Sequence, residues 1–311
     1  MKRTFLVTVA VAAATGLAVT ACGSSKAANS SGSGSGSLSG TTITVGSANF
    51  PENVLLGEIY AQSLEAKGAK ITRKLNIGNR ETYFAALQSG DIQLLPEYTN
   101  SLNAFLAKAK NATPTATNVE EQLKEITSNL PDKLTLLAPS TAEDKDVIVC
   151  NKAAADKYSL KTLDDLGKNA PNIVIGGPAE FKDRKPFGLA GFEELYKTKF
   201  KDFVPLEIGQ PVADALKADK IQCGNLFSTD PFIIADNLVA LDDTKPIVPN
   251  EAVVPLIAKD KATDGVKSVL NGVSDKLDTE GLKKMMVEVA TNAKDPAVVA
   301  KDWLTQNGFV K

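Results

Sequence analysis

The side chains that could do chemistry in this chain are carboxylates, hydroxyls, arginines and aromatic rings, because its 311 residues include no histidine. A chain without histidine cannot build a Ser-His-Asp triad, a Cys-His pair, or a zinc or haem site with histidine ligands. Three cysteines and three methionines are too few for a four-cysteine metal site or for most iron–sulfur centres. We therefore predict neither a metal nor a cofactor, and most classes of hydrolase are excluded.

Catalysis by carboxylates alone is the remaining enzymatic alternative, and Glu180 and Asp183 are the acidic residues it could use. Nothing in their surroundings has the placement that a glycosidase needs, so we predict that the protein is not an enzyme. The charge balance also limits the partners. With 35 Lys and Arg against 37 Asp and Glu, the chain lacks the basic excess that neutralises phosphates. We therefore predict no nucleic-acid partner.

The first residues have the pattern of a secretory signal peptide. Two basic residues precede an apolar run over residues 5–19, which is too short for a comfortable membrane span. The segment Val19-Thr20-Ala21-Cys22 resembles the lipobox of bacterial lipoproteins, whose cysteine is acylated and becomes the N-terminus. An ordinary secretory signal with a chance cysteine is the alternative. We predict a signal peptide over 1–21 and an extracytoplasmic protein anchored to the cell membrane by a lipid on Cys22.

A polar segment follows the cysteine. Of the 18 residues from 23 to 40, 13 are Gly or Ser, so the segment has too little apolar surface to offset the entropy of folding. We predict that residues 22–40 form a flexible tether and that the fold begins near Thr41.

Strands and helices alternate from Thr41 onward. The first segment alternates polar and apolar residues and ends at Gly46, which indicates a strand, and Pro51 with Glu52 suits the first turn of a helix. Further strands are predicted near residues 71–77, 92–95, 134–138, 147–150, 173–176, 204–208, 221–226 and 253–257. Further helices are predicted near residues 80–89, 118–129, 189–196, 213–218, 231–236 and 261–270, with a helical C-terminal end.

This alternation indicates an α/β fold whose sheets are covered on both faces. Ligands of such folds bind where strands end and helices begin. The loops in that position are predicted at residues 46–52, 76–80, 96–101, 177–188 and 227–230.

Several of these loops resemble those of substrate-binding proteins of ABC importers for glycine betaine, choline and related compatible solutes. The similar segments recur in the order and spacing of that family, from Thr41 to Lys311. They are Val45-Gly46-Ser47-Ala48-Asn49-Phe50-Pro51-Glu52, Pro96-Glu97-Tyr98-Thr99-Asn100, Glu180-Phe181-Lys182-Asp183-Arg184 with Gly188 and Gly191, and Phe227-Ser228-Thr229-Asp230.

The resemblance implies a two-lobed periplasmic-binding-protein fold of type II, with two crossovers between the lobes and the ligand held between them. Lobe 1 would comprise residues 41–140 and 250–311, and lobe 2 residues 141–249. Closure of the lobes around a ligand creates a shape that a membrane permease can recognise.

The resemblance also implies site residues. In that family aromatic rings enclose a quaternary ammonium group, and cationic or hydroxyl groups meet the ligand carboxylate. By position, Tyr98 is the one clear cage tyrosine and Arg184 keeps the guanidinium, while Thr99 and Ser101 keep hydroxyls. The chain departs from the pattern elsewhere, since the other cage tyrosines fall on Asp146, Phe227 and Glu251, and a family lysine falls on Ala48.

The remaining candidates lie in the same loops. Ligand-binding roles are predicted for Ser47, Asn49, Phe50, Arg80, Phe181, Ser228 and Thr229. Simpler alternatives stay open for several of the site candidates. Tyr98 and Phe227 could belong to the core, and Ser228-Thr229-Asp230 could be only a helix cap. Arg184 could be a surface charge, Arg80 could be a surface residue beside a helix cap, and Asp146 and Glu251 could be surface carboxylates.

Two cysteines lie in predicted strands of the second lobe. In an oxidising compartment a disulfide between Cys150 and Cys223 is favoured over two buried thiols.

Together these features predict a monomeric solute receptor that delivers a small ligand to the permease of an ABC importer. The ligand would be a betaine-like or choline-like osmoprotectant, or a diverged polyhydroxylated or aromatic solute, because several cage aromatics are missing. A lipid-anchored partner-binding or signalling module that lost its transport ligand is the alternative function.

Overall fold

The computed structural model describes residues 37–197 and 199–311. The predicted signal peptide, Cys22 and most of the predicted tether lie outside these residues. Within the described residues, no helix is long and apolar enough to cross a membrane.

Ten strands and twelve α-helices follow one another within the described residues. The strands are β1 Thr42–Gly46, β2 Lys70–Lys74, β3 Leu94–Tyr98, β4 Leu134–Leu136, β5 Asp146–Cys150, β6 Val174–Gly177, β7 Asp202–Pro205, β8 Cys223–Phe227, β9 Val239–Ala240 and β10 Val253–Ala258. The helices are α1 Pro51–Glu65, α2 Arg80–Ser89, α3 Thr99–Ala109, α4 Val119–Asn129, α5 Lys152–Tyr158, α6 Leu163–Asn169, α7 Leu189–Tyr196, α8 Gln210–Lys217, α9 Phe232–Ala235, α10 Asp264–Lys276, α11 Thr279–Met286 and α12 Pro296–Gln306. A π-helical turn, Val287–Thr291, lies between α11 and α12.

The strands form two five-stranded sheets, in the orders β2-β1-β3-β10-β4 and β7-β6-β8-β5-β9. In the first sheet β1 is parallel to β2 and β3, whereas β10 is antiparallel to β3 and β4. The second sheet repeats this arrangement, since β6 is parallel to β7 and β8, and β5 is antiparallel to β8 and β9. Each sheet with the helices packed on it is one lobe, and the first sheet belongs to lobe 1.

Each lobe has apolar clusters of its own. Helices α1, α10 and α12 cover one face of the lobe 1 sheet around Val45 and Val253, and a second cluster on the other face includes Phe84 and Leu256. In lobe 2, one cluster surrounds Ile175, and another joins α8 to strands β5 and β8. Strands covered on both faces are apolar throughout, as residues 253–257 of β10 are, because neither face meets water.

The chain passes between the lobes twice, once after β4 and once before β10. These crossovers contact each other, since Glu143 and Ala252 form an antiparallel bridge and the Asp144 amide donates to the Glu251 carbonyl oxygen at 3.1 Å. Two adjacent connections between otherwise separate sheets allow the lobes to move as bodies about one hinge. The prediction of a two-lobed α/β fold with two crossovers is confirmed.

Cys150 and Cys223 lie opposite each other in the antiparallel pair of β5 and β8, and their sulfur atoms form a disulfide bond. The bond joins two central strands of lobe 2 and closes a loop of 73 residues.

Candidate functional site

A cleft of about 390 Å³ lies beside the two crossovers and takes its walls from both lobes. Five of the predicted ligand-binding residues line it, namely Ser101, Asp146, Arg184, Phe227 and Glu251. The remaining lining residues are Asn100, Asp144, Lys145, Lys185, Pro186, Phe187, Ile247, Val248 and Pro249. The cleft therefore has a mixed wall of charged, amide, hydroxyl and aromatic groups.

Strand ends position two of these side chains directly opposite each other. Asp146 is the first residue of β5 and pairs in register with Phe227, the last residue of β8. The Phe227 side chain is 41% exposed, which leaves an aromatic face open in the cleft. Phe227 is therefore available for contact with a bound molecule. The alternative that its side chain belongs to the core is wrong.

Arg184 lies in the turn that precedes α7, and its guanidinium points to Asp146. Nη2 of Arg184 donates to Oδ2 of Asp146 at 3.1 Å, while Nδ2 of Asn225 donates to Oδ1 at 3.0 Å. The turn depends on a glycine, because a Cβ on Gly191 would lie 1.8 Å from the Pro186 carbonyl oxygen. The cleft thus contains an internal ion pair whose carboxylate is held at both oxygens.

Glu251 lies at the end of the second crossover and is 6% exposed. Its Oε1 accepts a hydrogen bond from the Ser101 backbone N–H at 3.0 Å. Burial raises the pKa of this carboxyl to about 7, although contacts with Ser101 and Asn100 and the charge of Arg80 act in the opposite direction. Glu251 is thus a buried acid of lobe 1 in the cleft wall, and the surface alternative is wrong.

Tyr98 and Glu52 form a polar pair just outside the residues that line the cleft. Tyr98 is the last residue of β3 and occupies the N-cap position of α3. Its hydroxyl donates to Oε1 of Glu52 at 2.7 Å. Glu52 lies in the first turn of α1 after Pro51, where the positive helix end favours a carboxylate. The Tyr98 ring is buried and lies 6.0 Å from the Phe50 ring, centre to centre, and the Phe50 ring is partly exposed.

Lobe 2 presents hydroxyl and carboxyl groups to Glu52. The Thr229 hydroxyl donates to Oδ1 of Asp144 at 2.6 Å, and both groups lie close to Glu52. Burial is the largest cause of the raised pKa of Glu52, and the neighbouring charge of Asp144 adds to it. Burial likewise raises the pKa of Asp144, and it raises that of Asp230 to about 6. Acids of both lobes therefore meet where the lobes touch.

Four predicted ligand-binding residues instead have structural partners or core positions. Phe181 is fully buried against Phe187 and Phe192, because its ring completes the aromatic core of lobe 2. The Ser47 hydroxyl accepts a hydrogen bond from the backbone N–H of Asn76 and donates one to the Ala48 carbonyl oxygen.

Thr99 and Arg80 are occupied in the same way. The buried Thr99 hydroxyl donates to Gln122 of α4 and accepts from the backbone N–H of Ala252, the residue before β10, so it links α3 to both elements. Arg80 makes a bidentate ion pair with the fully buried Glu97: Nε donates to Oε1 at 3.0 Å and Nη2 donates to Oε2 at 3.1 Å. Its guanidinium therefore neutralises a core carboxylate.

The other predicted residues lie near the cleft without lining it. Asn49 and Phe50 are exposed in the loop before α1. Ser228 is hydrogen-bonded to the first crossover. Its hydroxyl donates to the Glu143 carbonyl oxygen and accepts from the backbone N–H of Lys145. This serine therefore fixes the hinge side of lobe 2.

Sequence reasoning missed several residues of the site. Asp144, Lys145 and residues 247–249 belong to the crossovers, which neither helical nor strand periodicity marks. From the sequence, Glu52 is only a favourable charge at a helix N-terminus. Its position in a strand-to-helix loop, two residues after the candidate Phe50, is the signal that identifies it as a further candidate.

Comparisons with known proteins agree with this architecture. A family model described as the substrate binding domain of ABC-type glycine betaine transport system matches residues 41–306. The glycine betaine-binding protein YehZ of Escherichia coli (strain K12) is 28% identical over 286 residues, which cover 88% of this chain and 93% of that protein. The carnitine transport binding protein OpuCC of Listeria monocytogenes is 25% identical over 283 residues, with coverage of 87% and 88%.

Solved structures of two such proteins have the same fold. A crystal structure of a glycine betaine/carnitine/choline ABC transporter has a TM-score of 0.78 at 22% identity, and the structure of apo YehZ from E. coli has 0.76 at 25%. Each match covers 86% of this chain and 99% of the other. With the family model spanning most of the chain, the fold and the cleft lead to one conclusion: this chain belongs to the family of substrate-binding domains of ABC-type glycine betaine transport systems.

Proposed function

We propose that this protein is a lipid-anchored, extracytoplasmic receptor that binds a betaine-like or choline-like solute between its lobes and delivers it to the permease of an ABC importer. The observation that carries the proposal is the cleft at the crossovers, whose walls combine charged groups with the open face of Phe227. The family is one of transport proteins and not an enzyme class. The receptor works by binding and closure as a monomer and needs no catalytic group.

The moving bodies in this proposal are residues 41–140 with 250–311 and residues 141–249. The contact between Glu143 and Ala252 lies where both crossovers meet, as a hinge requires. When the lobes separate about this hinge, the cleft opens to a solute, and closure joins both walls around it.

Solute binding is tested with the purified protein in a thermal-shift panel of glycine betaine, choline and carnitine. A ligand that binds the native state raises Tm in a concentration-dependent way. Phe227→Ala should lower the affinity, whereas Val298→Ala, a change at a 51% exposed aliphatic residue of α12, should leave it unchanged. If none of the solutes binds, the receptor proposal fails. The comparisons give no support to the alternative of a partner-binding module.

Membrane anchoring is the second part of the proposal. The support for it is the lipobox-like segment ending at Cys22 and the Gly/Ser-rich tether after it. Radiolabelled palmitate should enter the wild-type protein in the cell envelope and should not enter Cys22→Ala. Equal labelling of both proteins would contradict acylation at this cysteine.

A further inference from the structure

The arginine of the cleft already holds a carboxylate that belongs to the protein. Arg184 and Asp146 form an ion pair at 3.1 Å, and Asn225, which is fully buried, donates to the other oxygen of Asp146. In a receptor for zwitterions, a guanidinium of this kind would be free to bind the carboxylate of the ligand. Here Asp146 takes that place and cancels the charge that would attract a carboxylate.

The other cations around the cleft are also neutralised. Lys145 pairs with Glu143 at 2.8 Å, and Lys185 pairs with Glu194 at 2.7 Å. Farther into lobe 1, Arg80 is engaged by Glu97. None of these groups is left with an uncompensated positive charge facing a bound solute.

Two of the acids that line the cleft have no ion-pair partner among the described residues. Asp144 and Glu251 line the cleft, and the charge of Asp144 acts on the neighbouring Glu52. Glu52 and Glu251 are 3% and 6% exposed, so water solvates them little. Among residues 37–197 and 199–311, no lysine or arginine forms an ion pair with any of these three acids.

A surplus of poorly solvated acids acts differently on the two ends of a betaine. It attracts an ammonium group, and the open ring of Phe227 adds a favourable face for it. Above about pH 7, where Asp144 and Glu251 are largely ionised despite their raised pKa values of about 6 and about 7, a carboxylate tail would instead meet like charges, which repel each other in a weakly solvated site. A hydroxyl tail can donate a hydrogen bond to those same carboxylates.

We propose that the cleft binds cations that carry no carboxylate, such as choline, more tightly than the zwitterion glycine betaine. The selectivity arises because Asp146 occupies Arg184 while Asp144 and Glu251 remain without a cation. This inference rests on the proposed receptor function and specifies the chemical class of its ligand.

Choline and glycine betaine form a matched pair for the test, since they share the trimethylammonium head and differ in a hydroxyl against a carboxylate tail. The full-length lipoprotein in detergent is titrated with each by calorimetry at low salt and at a pH of about 8, above the folded pKa values of Asp144 and Glu251. Choline should bind roughly tenfold more tightly or better, a difference of about 1.4 kcal/mol or more. The preference should shrink as added salt screens the charges.

Two variants separate the inference from a general loss of binding. Asp146→Asn frees Arg184 and removes one negative charge, so the ratio of choline to betaine affinity should fall at least severalfold. Asp214→Asn, an exposed acid on α8, should leave the ratio unchanged. The ratio of choline to betaine affinity in the wild-type protein tests the inference even if a variant fails to fold. Equal or tighter binding of glycine betaine would overturn the inference and leave the receptor function in place. If neither of these solutes binds and carnitine does not bind either, both the inference and the receptor function are overturned.

Discussion

Oε1 of Glu251 accepts a 3.0 Å hydrogen bond from the backbone N–H of Ser101, which ties the end of the second crossover to the first turn of α3. The bond holds a poorly solvated acid in the wall of the cleft, close to the hinge. Its carboxyl keeps a proton at pH values where a solvated glutamate is ionised, because burial raises its pKa to about 7.

The raised pKa values of Glu251 and Asp230 predict that the ligand-free protein loses stability as pH rises. The folded state binds protons more tightly than the unfolded state in the window between the ordinary carboxyl values, about 4, and the folded values of about 7 and about 6. Stability should therefore be highest at the acidic end of this window and decline up to about pH 8, because burial raises the pKa of Glu52 to about 8 and this carboxyl loses its proton last.

Thermal unfolding in the absence of ligand, followed from about pH 5 to about pH 8, measures this dependence. Glu251→Gln should flatten the decline, since the amide does not titrate. Glu81→Gln, a change at an exposed acid of α2, serves as the matched control. A decline that is as steep in Glu251→Gln as in Glu81→Gln would show that Glu251 does not cause it.

The disulfide between Cys150 and Cys223 should stabilise lobe 2. Closing a loop of 73 residues removes conformational freedom from the unfolded chain, and the chain-entropy relation gives about 4 kcal/mol for this length. Denaturant unfolding with and without a reducing agent should show a loss of that order. Alkylation under denaturing, non-reducing conditions followed by intact-mass measurement should add no alkyl group to these two cysteines, and modification of both would contradict the bond.

Arg80 should matter for stability more than for ligand affinity. Arg80→Ala leaves the fully buried carboxylate of Glu97 without its cation, although the Tyr83 hydroxyl still donates to it at 2.7 Å. Removal of one partner from a buried pair costs about 3 kcal/mol. Urea unfolding measures the cost, and Lys124→Ala, which breaks an exposed pair with Glu120, should change stability little. A large loss of choline affinity with unchanged stability would place Arg80 in the binding site instead.

Periodicity and resemblance were enough to predict the two-lobed fold and the family, and both predictions are confirmed. The two seven-residue helices α5 and α6 were missed because each has too few turns for an apolar period. Their caps were the available signal, since Asn151 begins α5 and Thr162 forms a capping box with Asp165 in α6.

Side-chain roles were harder to predict than elements, for a physical reason. A loop residue can face the cleft or the core, and the sequence does not encode the choice locally. Phe181 and Arg184 are three residues apart, yet the former completes an aromatic core and the latter lines the cleft. Thr99 likewise follows Tyr98 but bonds to Gln122, a residue 23 positions away.

Hydrogen–deuterium exchange of the full-length protein, with and without saturating choline, tests most directly whether the solute binds between the lobes. Choline should slow exchange in both walls together. On one side these are residues 96–104 of lobe 1 and residues 247–253 of the second crossover, and on the other side they are residues 181–190 and 225–230 of lobe 2. Exchange in the surface groove around Trp303 of α12 should stay unchanged. Protection confined to one lobe, or centred on the Trp303 groove, would contradict a site formed by closure of the two lobes.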